Sequence, residues 1–392
     1  MTFDRQNISQ FIGYLAYFVA LIYYILTNSA IVFPISLSLK AILLVTTCLA
    51  ALKFIFQNDF DFKILYIIVS FFCVSVFCAY YSHDLNPIIL TLVLFTANDL
   101  NIDKLTQITY RTIFITLFLL FFLSLSGMLA DYQYFRNGQL RHSFGTSQPT
   151  VFSAMTFFGI AAYIYNQRNK LNYIHYIVLV LIIMLINHYT KSRNDTVSMF
   201  LLLFVPLIAK SMEYKGIGQV MKFLVIFSYP LNALFVYFVT ARYSINNGIY
   251  YGIDLNEILS NRLYYGKLAL NLYHIKLFGQ HFEMYGNGGG RIYINPNQYF
   301  FVDSSYLYIL LRYGLIFSLI LIGWFVWHSF KLIRCNSYFL ATLIAIVGFE
   351  SAWQLTLTQY VNVFILCLTI PIFKRKNAIN SDRYFNLKKV NT

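Results

Sequence analysis

Arginine is the residue type in this chain best suited to chemistry, and its placement is uneven. Arg136, Arg141, Arg193, Arg242, Arg262, Arg291 and Arg312 fall in or beside three polar stretches, Ala130 to Thr150, Thr190 to Asp195 and Arg242 to Asp303, of an otherwise apolar sequence. A guanidinium is a planar fork that grips two oxygens of a phosphate or carboxylate at once, so arginines gathered this way suit an anion. The same stretches carry groups able to take a proton: His142, His281, Glu283 and Asp303. A glycine run, Gly286-Asn287-Gly288-Gly289-Gly290, precedes Arg291. It could offer backbone N–H groups to an anion, but it lacks the Lys-Ser/Thr ending and the strand of a nucleotide loop, and a hinge is the better reading.

The scaffold that must position these groups is a membrane one. Of 392 residues, 59% are apolar and only 11% charged, too few polar side chains to cover a soluble globule of this size. Apolar runs able to cross a hydrocarbon layer of about 30 Å recur throughout, and about twelve can be drawn. They are Ser9 to Leu26, Ile35 to Phe56, Ile64 to Tyr80, Pro87 to Ala97, Thr109 to Leu129, Val151 to Tyr165, Tyr173 to Tyr189, Thr196 to Ala209, Gln219 to Thr240, Ser304 to Trp327, Tyr338 to Trp353 and Tyr360 to Phe373. Backbone groups in lipid must pair internally, which makes these runs helices. The predicted fold is an all-α integral membrane protein: one polytopic domain over 1–392, a large extracytoplasmic loop at 241–303 and a basic cytoplasmic tail at 374–392.

Placing both termini in the cytoplasm puts Lys53, Lys63, Lys104, Arg111, Arg168, Lys170, Lys210, Lys215, Lys222, Lys331, Arg334 and the tail on the cytoplasmic side, as the positive-inside rule requires. The three arginine-bearing stretches then share the outer face. The formal net charge of +14 is largely explained by this topology, so nucleic acid is not an expected partner. The first apolar run has no small-residue cleavage site behind it and is expected to stay as a helix. Cys48, Cys73, Cys78, Cys335 and Cys367 show no metal-ligand spacing and are expected to pack; no metal or cofactor is expected.

Within the long loop, Asp254 and Glu257 have the spacing of a capping box. Leu259, Leu263, Gly266, Leu270, Tyr273 and Leu277 then follow at alternating intervals of four and three, the stripe of an amphipathic helix lying on the membrane or the bundle. Arg262 flanks the stripe, either aimed at the bundle's outer mouth or reaching for the interface.

Four stretches resemble the Wzy-type polysaccharide polymerases of the O-antigen ligase superfamily. Arg141-His142-Ser143-Phe144-Gly145-Thr146-Ser147-Gln148-Pro149 is similar to the family's arginine and glycine-proline loop entering a helix. Thr190-Lys191-Ser192-Arg193 is similar to its Ser-Arg turn, and Leu255 to Arg262, running on to Phe278-Gly279, resembles the opening of its large loop. Asp303-Ser304-Ser305-Tyr306-Leu307 followed by Arg312-Tyr313-Gly314 resembles that loop's return into the membrane. A histidine common near this point in the ligase branch is absent, and Asp303 stands roughly in its place.

The resemblance implies a metal-independent glycosyltransferase of the bacterial cytoplasmic membrane. It would join oligosaccharide repeat units carried on undecaprenyl pyrophosphate into O-antigen, capsule or exopolysaccharide, alongside a flippase and a chain-length regulator. An acceptor hydroxyl attacks an anomeric carbon while a lipid pyrophosphate departs, so leaving-group charge must be neutralised and a proton removed. On that reading Arg141, Arg193 and Arg262 take the pyrophosphate, with His142, Arg291 and Arg312 in support, and Asp303, His281 or Glu283 is the base. The alternative roles are ion pairs with Asp131, Asp195, Asp254 or Glu283, and for Asp303 the cap of the following helix. Tyr250, Tyr251, Tyr264, Tyr265, Tyr285, Tyr293, Tyr299 and Tyr306 could face sugars or form part of an aromatic belt.

Two rivals remain. Asp59-Phe60-Asp61 matches the acidic pair of nucleotide-sugar transferases, but in a short cytoplasmic loop it reads as a solvated turn. A flippase or other transporter would line its helices with charge, for which Lys40 and Glu350 are candidates, and would often show repeated halves, which are not evident. An O-antigen ligase differs from a polymerase only in its acceptor.

Overall fold

The computed structural model describes residues 5–31, 39–57, 62–136, 138–244, 255–286 and 299–370. Arg291, Asp254, Tyr250, Tyr251, Tyr293, Gly288 to Gly290, the Asp59/Asp61 pair and the basic tail lie outside the described residues. In chain order the elements are α1 (Arg5–Thr27), α2 (Leu39–Phe56), α3 (Phe62–Ser82), α4 (Asn86–Thr96), α5 (Ile102–Leu125), β1 (Gln133–Arg136), β2 (Gln139–His142), α6 (Pro149–Asn166), α7 (Tyr173–Thr190), α8 (Arg193–Leu203), α9 (Val205–Ser211), α10 (Ile217–Ile226), α11 (Ser228–Arg242), α12 (Leu255–Ile258), α13 (Arg262–Leu272), α14 (Ser305–Arg312), α15 (Gly314–Arg334) and α16 (Tyr338–Glu350).

Six of these helices are long and apolar enough to cross a membrane, or up to eight if the bent pairs α8–α9 and α10–α11 each count as one. The bends, 53° and 68°, have a cause in the sequence. Pro206 and Pro230 lack an N–H, and each ring collides with the carbonyl four residues back, where α8 and α10 end. Two predicted spans are short: α4 has 11 residues and α16 has 13. At 1.5 Å per residue, each falls short of a hydrocarbon layer of about 30 Å. The predicted span Tyr360 to Phe373 holds a buried 3-10 helix, Val363–Leu368, in its described part.

α6 is the innermost helix, apolar on almost every side and packed on α5, α7, α8 and α16. Outer helices keep apolar side chains on the surface, as lipid-facing elements do: Val69 and Phe77 on α3, Leu181 and Met184 on α7, Phe235 and Phe238 on α11. The long segments gather at one end of the bundle. There the Ala30 and Ser147 amides donate to Gly145 and Asn28, tying the 126–148 loop to the end of α1. The opposite end carries Asp99, Asp103 and Arg168, the last two paired at 2.6 Å. Lys53, placed by the sequence among the cytoplasmic-side cations, is fully buried in the last turn of α2 and ion-paired with Asp99.

The 273–280 segment docks onto the α14–α15 junction through Leu315 and Ile316 amides donating to Lys276 and Leu277, and Gln280 to Arg312. Gly279 (φ +80°) and Gly314 (φ +90°) face each other there, and a Cβ on either would collide with the other strand's backbone. Gly279→Ala or Gly314→Ala is therefore expected to lower the thermal midpoint of detergent-extracted protein strongly. Gly127→Ala, at φ +75° with open space around it, should cost only the left-handed backbone penalty of about 1–2 kcal/mol.

Candidate anion site at the loop-bearing end

The predicted continuous amphipathic helix is broken. Ser260 and Asn261 both adopt positive φ, ending α12 and starting α13 at Arg262. Of the stripe, Leu263 and Gly266 are buried and Leu270 is half-buried, with Ala269 buried beside them and Gly266 packed on Thr240 of α11 and Leu307 of α14. Leu277 is past the helix and exposed. The break points Arg262 inward: it is 10% exposed, its Nε is 3.7 Å from Asp303 Oδ2, and that Nε makes no hydrogen bond. Asp303 is not the cap of α14. That position is Ser304, whose side chain makes no cap bond. Tyr265 lies beside Asp303 and against Tyr264 and Tyr299, and burial, followed by its neighbours Tyr264 and Asp303, pushes its phenol up.

Arg141 reaches the turn between α7 and α8 that carries Arg193. The β1–β2 hairpin directs Arg141 Nε to the Thr190 carbonyl at 2.8 Å. Lys191, in the left-handed region, caps α7, and Thr196 Oγ1 donates to Asn187 Oδ1 and to the Ser192 carbonyl, which fixes the turn. Arg193 then opens α8 as an exposed side chain. Asp195, two residues on, is fully buried and does not pair with it: its oxygens accept from Ser192 Oγ at 2.6 Å and Gln354 Nε2 at 2.5 Å.

His142 is bound to Asp131, Nδ1 to Oδ2 at 2.5 Å, and stacked on Phe144, which makes it a structural partner of the hairpin rather than a ligand group. Burial acts to raise the Asp131 carboxyl, but the His142 hydrogen bond, the Phe144 and Ser143 amides and the His142 charge outweigh it and hold it below its usual range. A lowered carboxyl adds stability above its unfolded value of about 3.9, lost as pH falls through the folded value. Asp131→Ala should cost about 1–3 kcal/mol by orphaning two amides, read as faster hydrogen exchange at Ser143 and Phe144.

The other predicted residues lie elsewhere on this end. Arg312 donates to the Phe282 carbonyl and its guanidinium lies 5.3 Å from that ring's centroid. His281 Nδ1 is 3.1 Å from the Ser82 carbonyl, with its ring against His83. Glu283 accepts from the Tyr285 hydroxyl. Tyr306 is buried, donating to Gly348, and is a packing residue rather than a sugar platform. The structure thus joins Arg141 to the Arg193 turn and Arg262 to Asp303, and sets Arg312 and His281 apart with Asp84, which accepts from Tyr313 at 2.9 Å and Asn86 at 2.8 Å.

The sequence offered Glu350 only as a candidate buried charge of a transporter and did not show its place between the two arginine groups. Glu350, ending α16, is fully buried beside Asp195, Ser198 and Arg262. Its signal was present, a carboxyl closing an apolar run. Lys40, the other candidate for buried charge, is exposed. Ser305 completes the link from α14, donating to the Gln354 carbonyl and accepting from the Thr356 and Leu357 amides. Among the described residues, no cluster of three or more His, Cys, Asp or Glu could hold a metal. Comparison with family models, curated proteins and solved structures finds no match to this chain.

Proposed function

We propose that this protein is a Wzy-type polymerase that joins undecaprenyl-pyrophosphate-linked repeat units at the outer face of a bacterial cytoplasmic membrane, with both termini inside and about twelve membrane passes in all. The observation that carries this reading is the gathering, at one end of an apolar helix bundle, of Arg141, Arg193 and Arg262 from three separate segments, with Asp303 beside Arg262. An anion arriving on a lipid meets such an end sideways, without leaving the bilayer. In the proposed reaction Arg193 and Arg262 neutralise the departing pyrophosphate as the anomeric C–O bond to it breaks. The acceptor hydroxyl forms the new C–O bond and passes its proton to Asp303, the partly exposed carboxylate 3.7 Å from Arg262. His142, held by Asp131, and Glu283, bonded to Tyr285, are weaker candidates than the sequence implied.

A transporter would need charges midway along its helices. Among the described residues, the buried lysine and carboxyls, Lys53, Asp84, Asp195 and Glu350, sit at helix ends or between helices, and of the buried basic and acidic side chains His328 alone lies inside a helix, which favours an enzyme. The test is a deletion scored for surface polysaccharide. A single repeat unit left on carrier or core supports the polymerase; unattached long chains indicate a ligase, and intracellular lipid-linked units a flippase.

A further inference from the structure

Asp195 and Glu350 come from different helices, α8 and α16, and both side chains have no exposed surface. Their hydrogen bonding is unequal. Asp195 uses both oxygens as acceptors, one for Ser192 and one for Gln354, as an ionised carboxylate does. Glu350 lies next to it, yet neither of its oxygens has a partner at full hydrogen-bond geometry; its polar neighbours are the Ser198 hydroxyl and the Asp195 carboxyl itself. Two acceptors facing each other in a buried site leave one bond unmade unless a proton stands between them. A second bare carboxylate there would have no solvent and would face the Asp195 carboxylate with only the Ser198 hydroxyl and the charge of Arg262 to offset it, and burying such a charge costs several kcal/mol. The charged groups facing Glu350 are Asp195 from α8 and Arg262 from α13, and Tyr24 of α1 faces Asp195.

We propose that Glu350 is held as the neutral acid, donating its proton to Asp195, and that this buried acid pair is a proton-binding site that keeps Arg262 available for an anion. An ionised Glu350 would set a second carboxylate against Arg262, which already has Asp303 at 3.7 Å, and would compete with any phosphate for the same guanidinium. The protonated form leaves that charge for the ligand. Glu350 is thus a positioning residue that acts through Arg262, whose Nε is without a hydrogen bond. The proton itself does not depend on the polymerase reading; the anion role does.

The test uses dicyclohexylcarbodiimide, an apolar carbodiimide that adds to a carboxyl only in its protonated form, on full-length protein in native membranes at neutral pH. Peptide mass spectrometry is expected to find the adduct on Glu350, lost in Glu350→Gln, and an unmodified Glu350 overturns the proposal. The second readout is incorporation of lipid-linked oligosaccharide into polymer as a function of pH. Glutamine mimics the neutral acid, so Glu350→Gln should keep activity within about twofold at neutral pH and lose the alkaline decline of the parent. A Glu350→Gln protein that accumulates normally but has lost activity tenfold or more shows that the carboxylate is required and overturns the positioning role. An adduct on Glu350 with no polymer formed by the unmodified parent keeps the proton site and rejects the polymerase reading.

Discussion

Arg193→Ala is expected to reduce polymer formation by about 10²–10³-fold, the usual loss when one preorganised donor to a developing negative charge is removed. The substitution is clean because Arg193 is an exposed side chain at the start of α8. The turn that presents it is held by Lys191, Thr196 and Asp195 through contacts that alanine leaves in place. A surface change of this kind costs within about 0.5 kcal/mol of stability, so the protein should accumulate normally in membranes. Arg193→Lys restores charge but not the two-pronged grip, and partial recovery is expected. Polymer of normal length and amount from cells carrying Arg193→Ala would reject the assignment.

Asp303→Asn should cost about 10²–10⁴-fold in rate if Asp303 takes the acceptor's proton. Asparagine is a good cap but a poor base, and the cap position of α14 belongs to Ser304, so loss of a helix cap does not confound the result. What Asn does disturb is the ion pair with Arg262. A double-mutant cycle separates the two effects by transfer assays on membranes. If Asp303 only orients Arg262, Arg262→Ala with Asp303→Asn is no worse than Arg262→Ala alone. If it is the base, the losses compound, and full activity in the single Asn variant removes the catalytic role altogether.

The helices were legible because their cause is local. Apolar runs act over a few turns of chain, and most helices follow them; the breaks at Pro206 and Pro230, inside the predicted runs Thr196 to Ala209 and Gln219 to Thr240, were not read although their cause is equally local. The 11-residue α4 matches the predicted run Pro87 to Ala97 closely; legibility failed where neighbours decide, since α16 stops at Glu350 and Val363–Leu368 winds as a 3-10 helix inside the predicted span Tyr360 to Phe373. The arginines were legible as a set, since an apolar chain tolerates such groups only where something uses them. Their partners were not. Asp195 was offered as a mate for Arg193 two residues away, yet the first turn of α8 sends the two side chains to opposite fates, one exposed and one buried on Gln354.

Sequence alone therefore determined that this chain is a helical membrane protein, with its arginines concentrated in a few polar segments, because hydropathy, period and backbone satisfaction in lipid are properties of contiguous residues. Only the tertiary structure decided which of those arginines share a place and which carboxyls face them. Arg262 reaches Asp303 across 41 positions of sequence, and Glu350 reaches Asp195 across 155. Pairings at that separation are fixed by how α8, α13, α14 and α16 pack, and no pattern in neighbouring residues encodes them.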